Sequence, residues 1–279
     1  DFLNFFFTSS ALKAAIALPA HSFTFTGPRS PLTAFSLFYL HARAKKPIPH
    51  GAPQLLERLL EEVRKLKITV KTNTPVKQIL FQDQKVCGVE TEDYDVFKAP
   101  KVISTCDPHT TAFKFLSSHL PANRLLKIKH QKIRSTTAIV ALGLKGQLQS
   151  EFIRMVPSLE ALEKAFDPIK YGQFPSEPAL NIWNTTHYAP EGHSVALIHI
   201  HFIPPHYHWT PEEEKKLLQS TINTLSRYNP DISDRIVCHK LLTPEVLQKE
   251  YLVTGGHIFH SEQTLDQLIN APFEGFIIQ

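Results

Sequence analysis

Glycine is scarce in this chain, at 10 of 279 residues, about half the roughly 7% usual in globular proteins. Neither G-x-G-x-x-G nor G-x-x-x-x-G-K-[ST] occurs, which excludes a self-contained nucleotide-binding loop. Methionine is scarcer still: Met155 is the only one, and the chain opens Asp1-Phe2-Leu3-Asn4-Phe5-Phe6-Phe7. A processed product or an internal piece of a longer protein is therefore expected. The three cysteines, Cys87, Cys106 and Cys238, are odd in number and far apart, which argues against a disulfide frame or a C-x-x-C metal site. They read as small buried residues in a reducing intracellular compartment, the cytoplasm or a mitochondrial matrix. No block of five or six like charges exists and the net charge is only +4, so a nucleic-acid partner is not expected and an anionic-membrane reading gains little support from charge. No run of about 18 apolar residues is present to span a bilayer; peripheral membrane contact stays open. Ala11-Leu12-Lys13-Ala14-Ala15-Ile16-Ala17-Leu18 has the composition of a signal-peptide centre but lacks a basic flank, and reads as a core helix.

What is present is enough for a packed core: 42% hydrophobic and 20% charged residues, over a length that suits one large domain or two ordinary ones. Residues 1–46 predict two or three short helices, with Ser9 and Ser10 as cap candidates, Pro19 closing the alanine-rich helix and Pro31 in the first turn of the next, which runs to about Ala42. Lys45 to Gly51 reads as a connector. Leu55, Leu56, Leu59, Leu60, Val63 and Leu66 recur at three- and four-residue spacing, predicting an amphipathic helix over 54–66. Lys67-Ile68-Thr69-Val70-Lys71-Thr72 alternates with period two, as a half-buried strand does. Strands are expected at 76–82 and 85–90 around a turn at Asp83-Gln84, then near 94–98 and at 101–105, before a helix opened by Asp107-Pro108. Beyond Leu120 the pattern gives helices near 122–129, 158–171, 211–228 and 244–251, and strands near 136–144, 179–185, 194–202 and 235–241. The expected class is α+β, with a mixed, largely antiparallel sheet and helices.

Several strings then carry a resemblance: Gly27-Pro28-Arg29-Ser30-Pro31-Leu32-Thr33-Ala34; the helix after Gly51 leading to Val70-Lys71-Thr72-Asn73-Thr74-Pro75-Val76; Val102-Ile103-Ser104-Thr105-Cys106-Asp107-Pro108-His109; and Thr254-Gly255-Gly256-His257-Ile258-Phe259-His260-Ser261-Glu262-Gln263-Thr264-Leu265-Asp266-Gln267. Their order over residues 20–268 resembles the phytoene desaturase-like family of FAD-dependent oxidoreductases. The resemblance implies a parent fold of α/β type, with an FAD-binding domain assembled from separated segments and a substrate domain made from the intervening ones. On this chain, residues 47–117 correspond to the middle FAD-domain segment, 118–268 to most of the substrate domain and 1–46 to a helical part of the substrate region; 269–279 depart from the pattern. The two glycine-rich FAD segments of the family have no counterpart here. FAD is the implied cofactor, held by a complete protein, and the implied partner is a small organic substrate. This chain alone is expected to be inactive.

Each candidate site residue has two readings. Val76, after a polar turn, has backbone groups that the resemblance places on an adenine edge, or is a core valine. Ser104, Thr105 and Cys106 end a strand where doubly wound sheets place ligands, or form an ordinary strand-to-helix turn capped by Asp107. Gly51 stands alone where the family has a glycine pair against the cofactor. Arg29, on a stiff Gly/Pro loop, positions an anionic or carbonyl group of a substrate, or pairs with a carboxylate. Gly255, Gly256 and His260 belong to the loop that the resemblance places beside flavin and substrate; a turn needing positive φ is the alternative for the glycines. His199 and His201 share a strand face and are candidate metal ligands, but no third ligand stands at motif spacing, so no metal is expected. The leading function is therefore the central, substrate-covering portion of an FAD-dependent oxidoreductase that oxidises a hydrophobic or amine-bearing molecule by hydride transfer to flavin. The alternative is a non-catalytic truncated relative that binds a partner or a lipid.

Overall fold

The computed structural model describes residues 2–22, 24–42, 51–269 and 276–278. Residues 45–50 of the connector expected at 45–51 and most of the divergent tail lie outside the described residues, while Gly51 already opens a helix. In chain order the elements are α1 (Phe2–Phe6), α2 (Ser10–His21), α3 (Thr33–Ala42), α4 (Gly51–Lys65), β1 (Val76–Gln82), β2 (Lys85–Thr91), β3 (Val96–Lys98) and β4 (Val102–Ser104). Then come α5 (Pro108–Thr110), which continues as a π turn over Thr111–Phe115, α6 (Ala122–Lys129), β5 (Thr136–Lys145), β6 (Phe152–Met155), α7 (Leu159–Phe166), β7 (Leu180–Thr185) and β8 (His193–Ile203). The chain closes with α8 (Pro211–Ser226), α9 (Ile232–Arg235), β9 (Ile236–Leu242), α10 (Pro244–Tyr251), α11 (Leu265–Ile269) and β10 (Phe276–Ile278). The class is α+β, and every strand pairing is antiparallel. Contacts divide the chain into two units, Asp1–Leu40 with Lys129–Pro272, and His41–Ile128 with Phe273–Gln279.

The first unit is built on a five-stranded sheet of order β6-β7-β8-β5-β9. On one face Val140, Leu142, Leu180, Ile182, Ile198 and Ile200 pack with Leu217 and Leu225 of α8 to form the main core. Helix starts follow local chemistry. The Ser158 hydroxyl accepts from Ala161 N at 3.0 Å and the Thr210 hydroxyl from Glu213 N at 3.3 Å, each satisfying a first-turn donor. Glu212, Glu213 and Glu214 then place negative charge at the N-terminal end of α8, where the macrodipole favours it. A second cluster joins Ala14, Ala17 and Leu18 of α2 to Leu162, Ala165 and Phe166 of α7 and to Phe202. Phe202 has φ 63° where the β5–β8 register shifts, so β8 sends Ile200 and Ile203 to the main core and Phe202 to the second.

The second unit holds the three-stranded sheet β1-β2-β3 and the β4–β10 pair. Its core gathers Ile79, Val86 and Leu116 with Phe81, Val89 and Phe115. The β1–β2 hairpin turns at Asp83 and Gln84, both at positive φ (50° and 62°), the left-handed pair that a tight hairpin needs.

Several expectations fail for physical reasons. Residues 67–72 form no strand: Ile68 and Val70 are exposed and Lys67 is left-handed at φ 54°, so the alternation has no ladder to complete it. Pro19 does not close α2, which runs on to His21. Pro31 precedes α3 rather than opening it, because Leu32 adopts φ 63°. Cys106 and Cys238 are exposed and Cys87 only half-buried, so the cysteines are not buried core residues; all three are free thiols, Cys87 in the middle strand β2, Cys238 on the edge strand β9 and Cys106 just past β4. Strand β6 had no clear periodic signal in its four residues. Ile198 lies fully buried between its ladder partners Val140 and Ile182. Ile198→Ala is expected to cost about 2–5 kcal/mol, read as a lowered denaturant midpoint with unchanged slope.

Candidate functional site

The sheet face opposite the main core carries different chemistry. The ladder sets Phe152 against Trp183, Trp183 against Leu197, and Arg154 and His199 on either side of Asn181. Ring centroids lie 5.2 Å apart for Phe152–Trp183 and 4.5 Å for Trp183–His199. Phe152, Trp183 and Leu197 are all exposed, while His199 is half-buried. Arg154 donates to the Ala15 carbonyl at 3.1 Å, tying this edge to α2. His201 is fully buried, and its Nε2 accepts from Asn181 Nδ2 at 3.0 Å. Among the described residues no group of three or more His, Cys, Asp or Glu side chains is placed to hold a metal ion. The two histidines behave as neutral side chains: desolvation pushes His199 down to about 4 and His201 to about 3.

Arg29 lines a cavity of about 720 Å³ bounded by α1, α2, α3 and the start of α7. Its loop is fixed from below. The Arg29 N–H donates to the buried Glu163 carboxylate at 2.9 Å, and a Cβ on Gly27 would lie 2.5 Å from the Phe166 ring. The loop around Gly255 and Gly256 is a turn with both residues at φ 63°, and a Cβ on Gly256 would lie 2.3 Å from the Pro244 carbonyl oxygen. The glycines are thus required by the turn and by contact with α10, whether or not a ligand also approaches. His260 is exposed at φ 66° and donates its N–H to the His257 carbonyl at 2.7 Å. His257 is buried, and desolvation lowers it to about 4.

One residue of this loop, Glu262, carries no local signal in the sequence. The Glu262 side chain is 0% exposed, and its carboxylate accepts from Arg134 Nε (3.0 Å), Arg134 Nη2 (2.7 Å), the Arg134 backbone N–H (2.7 Å) and the Phe25 backbone N–H (3.3 Å). The Arg134 guanidinium stacks over the Phe25 ring at 5.0 Å, and its hydrogen bonds to Glu262 raise its pKa. Glu262 lay inside the string that carries the resemblance, yet its partners are more than a hundred residues away, so no local pattern marked it.

In the second unit, Gly51 is the first residue of α4 and Val76 is the half-buried first residue of β1. Strand β1 lies at the edge of its sheet, so half of its backbone groups face away from the ladder. At the end of β4 the Ser104 and Thr111 hydroxyls bond each other at 2.8 Å, Asp107 caps the Thr110 N–H at 3.0 Å, and Thr105 and Cys106 are exposed. The cap reading of Asp107 is thus realised beside an accessible strand end. These residues fit contact with a ring edge or a ribose. They provide no glycine-lined phosphate cradle, in keeping with a sequence that has no such loop.

A family model described as "Flavin containing amine oxidoreductase" matches residues 1–245. The chain belongs to that family. Among curated proteins, this flavin-containing amine oxidoreductase member is 20% identical over 297 residues to pyridine nucleotide-disulfide oxidoreductase domain-containing protein 2 of Mus musculus, covering 94% of this chain and 51% of the relative. It is 26% identical over 227 residues to 4,4'-diaponeurosporene oxygenase of Staphylococcus aureus, covering 75% of this chain and 43% of that protein. An oxidoreductase from Methanosarcina mazei is a solved structure similar to it at 18% identity and a TM-score of 0.42, over 66% of this chain and 41% of the other. The resemblance to phytoene desaturase-like FAD-dependent oxidoreductases therefore holds, and the chain spans about half the length of the curated relatives it matches.

Two outcomes follow from the buried polar groups. Glu262→Ala strands the Arg134 and Phe25 N–H donors and is expected to cost on the order of 3 kcal/mol, with Glu262→Gln losing less because its amide oxygen still accepts; thermal and urea unfolding read both. The second concerns pH. Unfolded imidazoles take up protons near about 6.5, whereas His21, His199 and His257 are held to about 4 and His201 to about 3. Between those values the unfolded state binds more protons, so their contribution is full above about pH 6.5 and is lost as pH falls toward about 4. Urea midpoints followed down that window should fall for the parent and fall less steeply for His199→Gln.

Proposed function

We propose that this chain supplies the substrate-covering part and the middle cofactor-domain segment of an FAD-dependent oxidoreductase acting on a hydrophobic or amine-bearing organic molecule. The open sheet face of the first unit carries this reading. Phe152, Trp183 and Leu197 offer apolar area to a substrate, and an exposed aromatic wall of this kind is uncommon unless something covers it. His199 adds a polar atom without charge at neutral pH, so the wall accepts an uncharged chain or a deprotonated amine without repelling either. Flavin, when bound, supplies the acceptor for the substrate's hydride, while the protein contributes positioning and exclusion of water.

In this reading Gly51, Val76 and the strand end Ser104-Thr105-Cys106 hold part of the FAD. Arg29 and the loop bearing Gly255, Gly256 and His260 border the substrate, and the apolar helices before residue 46 line its approach. Family membership supports flavin use, and the curated relatives' names point to oxidation of organic molecules. The test is a protein purified from the full coding sequence that contains this chain. It should carry a visible flavin absorbance that bleaches without oxygen when a lipophilic amine or polyene substrate is added. A colourless protein that takes up no added FAD would overturn the reading in favour of a non-catalytic relative. Trp183→Ala should then raise the substrate KM roughly tenfold, the scale of a lost apolar contact, and leave the flavin spectrum unchanged.

A further inference from the structure

The first unit also carries an aromatic cluster remote in chemistry from any charge-pairing role. Phe2 meets Phe6 at 4.9 Å and Phe38 at 5.1 Å, and Phe5 meets Phe6 at 5.0 Å between ring centroids. These four rings, from α1 and α3, form a chain of contacts, Phe38–Phe2–Phe6–Phe5, yet are 38%, 85%, 59% and 54% exposed for Phe2, Phe5, Phe6 and Phe38. Leu12 and Leu32 add exposed apolar area on the adjoining α2 and the turn before α3. A contiguous patch of this kind marks an interaction surface.

Charge says which partner suits it. Residues 2–56 contain Lys13, Arg29, Arg43, Lys45 and Lys46 and not one Asp or Glu; the first carboxylate after Asp1 is Glu57. The even mixing of charge over the whole chain therefore does not extend to its first fifth. Two of these cations share a site with one of the rings: Lys13 and Arg29 line the same cavity of about 720 Å³ as Phe2 and Leu32. Lys13 Nζ also donates to Asn4 Oδ1 at 2.8 Å, bracing α1 against α2. Among the described residues the one carboxylate in that cavity wall is Glu160, which is paired with Lys164 at 3.1 Å. Exposed phenylalanines in a segment whose charges are mostly cations match a bilayer interface: rings enter the acyl boundary while Lys and Arg meet headgroup phosphates.

We propose that the face formed by α1 and α3, with Lys13 and Arg29 at its border, docks on a lipid surface bearing anionic headgroups. The attachment is peripheral: among the described residues no helix is long and apolar enough to cross a membrane. It is independent of whether the protein carries flavin.

The test is co-sedimentation of the full chain with phosphatidylcholine vesicles, with and without phosphatidylglycerol, at low and high salt. Binding should require the anionic lipid, weaken as salt rises, and fall roughly tenfold or more in a Phe5→Ser/Phe6→Ser variant, the scale set by withdrawing two rings from the interface. Both side chains are exposed, and near- and far-ultraviolet circular dichroism of the variant should match the parent. Failure to bind either vesicle, equal binding to neutral and anionic vesicles, or undiminished binding by the folded double variant would overturn the proposal. So would a dimer of the parent in light scattering that the double substitution dissolves, since the patch would then belong to a second copy.

Discussion

A single buried carboxylate holds the first unit's loops in place. Glu262 lies outside any sheet ladder, yet it closes four hydrogen bonds to two segments distant in the chain, the stretch at Phe25 and the entry to β5 at Arg134. An ionised carboxylate out of contact with water is costly unless its lone pairs are filled and an opposite charge is close. Here both conditions are met by one arginine that offers its side chain and its own backbone N–H, and the guanidinium is itself stacked on Phe25. The loop from Thr254 to Gln267 thereby becomes a fixed wall. Thr136 donates to the Gly256 carbonyl at 2.9 Å and Glu262 N–H to the Lys132 carbonyl at 3.0 Å, so the same loop is sewn to the start of β5 and the segment before it at two further points. Glu163 repeats the device on a smaller scale beneath the Arg29 loop.

What the sequence made legible is what local chemistry decides. Ser9 and Ser158 cap their helices as their side chains predict, and Asp83-Gln84 turns the β1–β2 hairpin. The long strands β5 and β8 and the helix α8 with its acidic first turn all declare themselves by periodicity and charge. What stayed hidden depends on partners. The 67–72 alternation is as regular as that of a true strand, but pairing is a property of two segments and no second segment meets it. The exposure of Cys106 and Cys238 follows from the positions of β4 and β9 at sheet margins, which composition does not encode. Glu262 is the extreme case: its role depends on Arg134, 128 residues away in the sequence.

The candidate site was legible in part for the same reason. Arg29 was marked by the rigid loop around it, and the structure adds the cavity into which that loop is set. The positive φ of Gly255 and Gly256 was anticipated as one of two readings, and the contact with Pro244 makes it a structural requirement. The aromatic face of Phe152 and Trp183 was missed because β6 is only four residues long; without that strand, Trp183 has no ring opposite it and no reason to stand out. The two strand histidines, His199 and His201, conspicuous in the sequence, resolve into uncharged rings, one of them hydrogen-bonded to Asn181.

The irregularity at Phe202 has a mechanical consequence. By breaking the alternation of β8, it hands one side chain to the α2–α7 cluster while its neighbours Ile200 and Ile203 stay in the main core. Phe202 touches Phe166 at 5.5 Å between centroids, and Phe166 is the ring on which Gly27 rests beneath Arg29. An unbroken train of packed groups therefore runs from the middle of the sheet to the arginine loop. Because close-packed interiors transmit displacement rather than absorb it, a shift of Phe202 is passed through the Phe166 ring to the floor of the Arg29 loop.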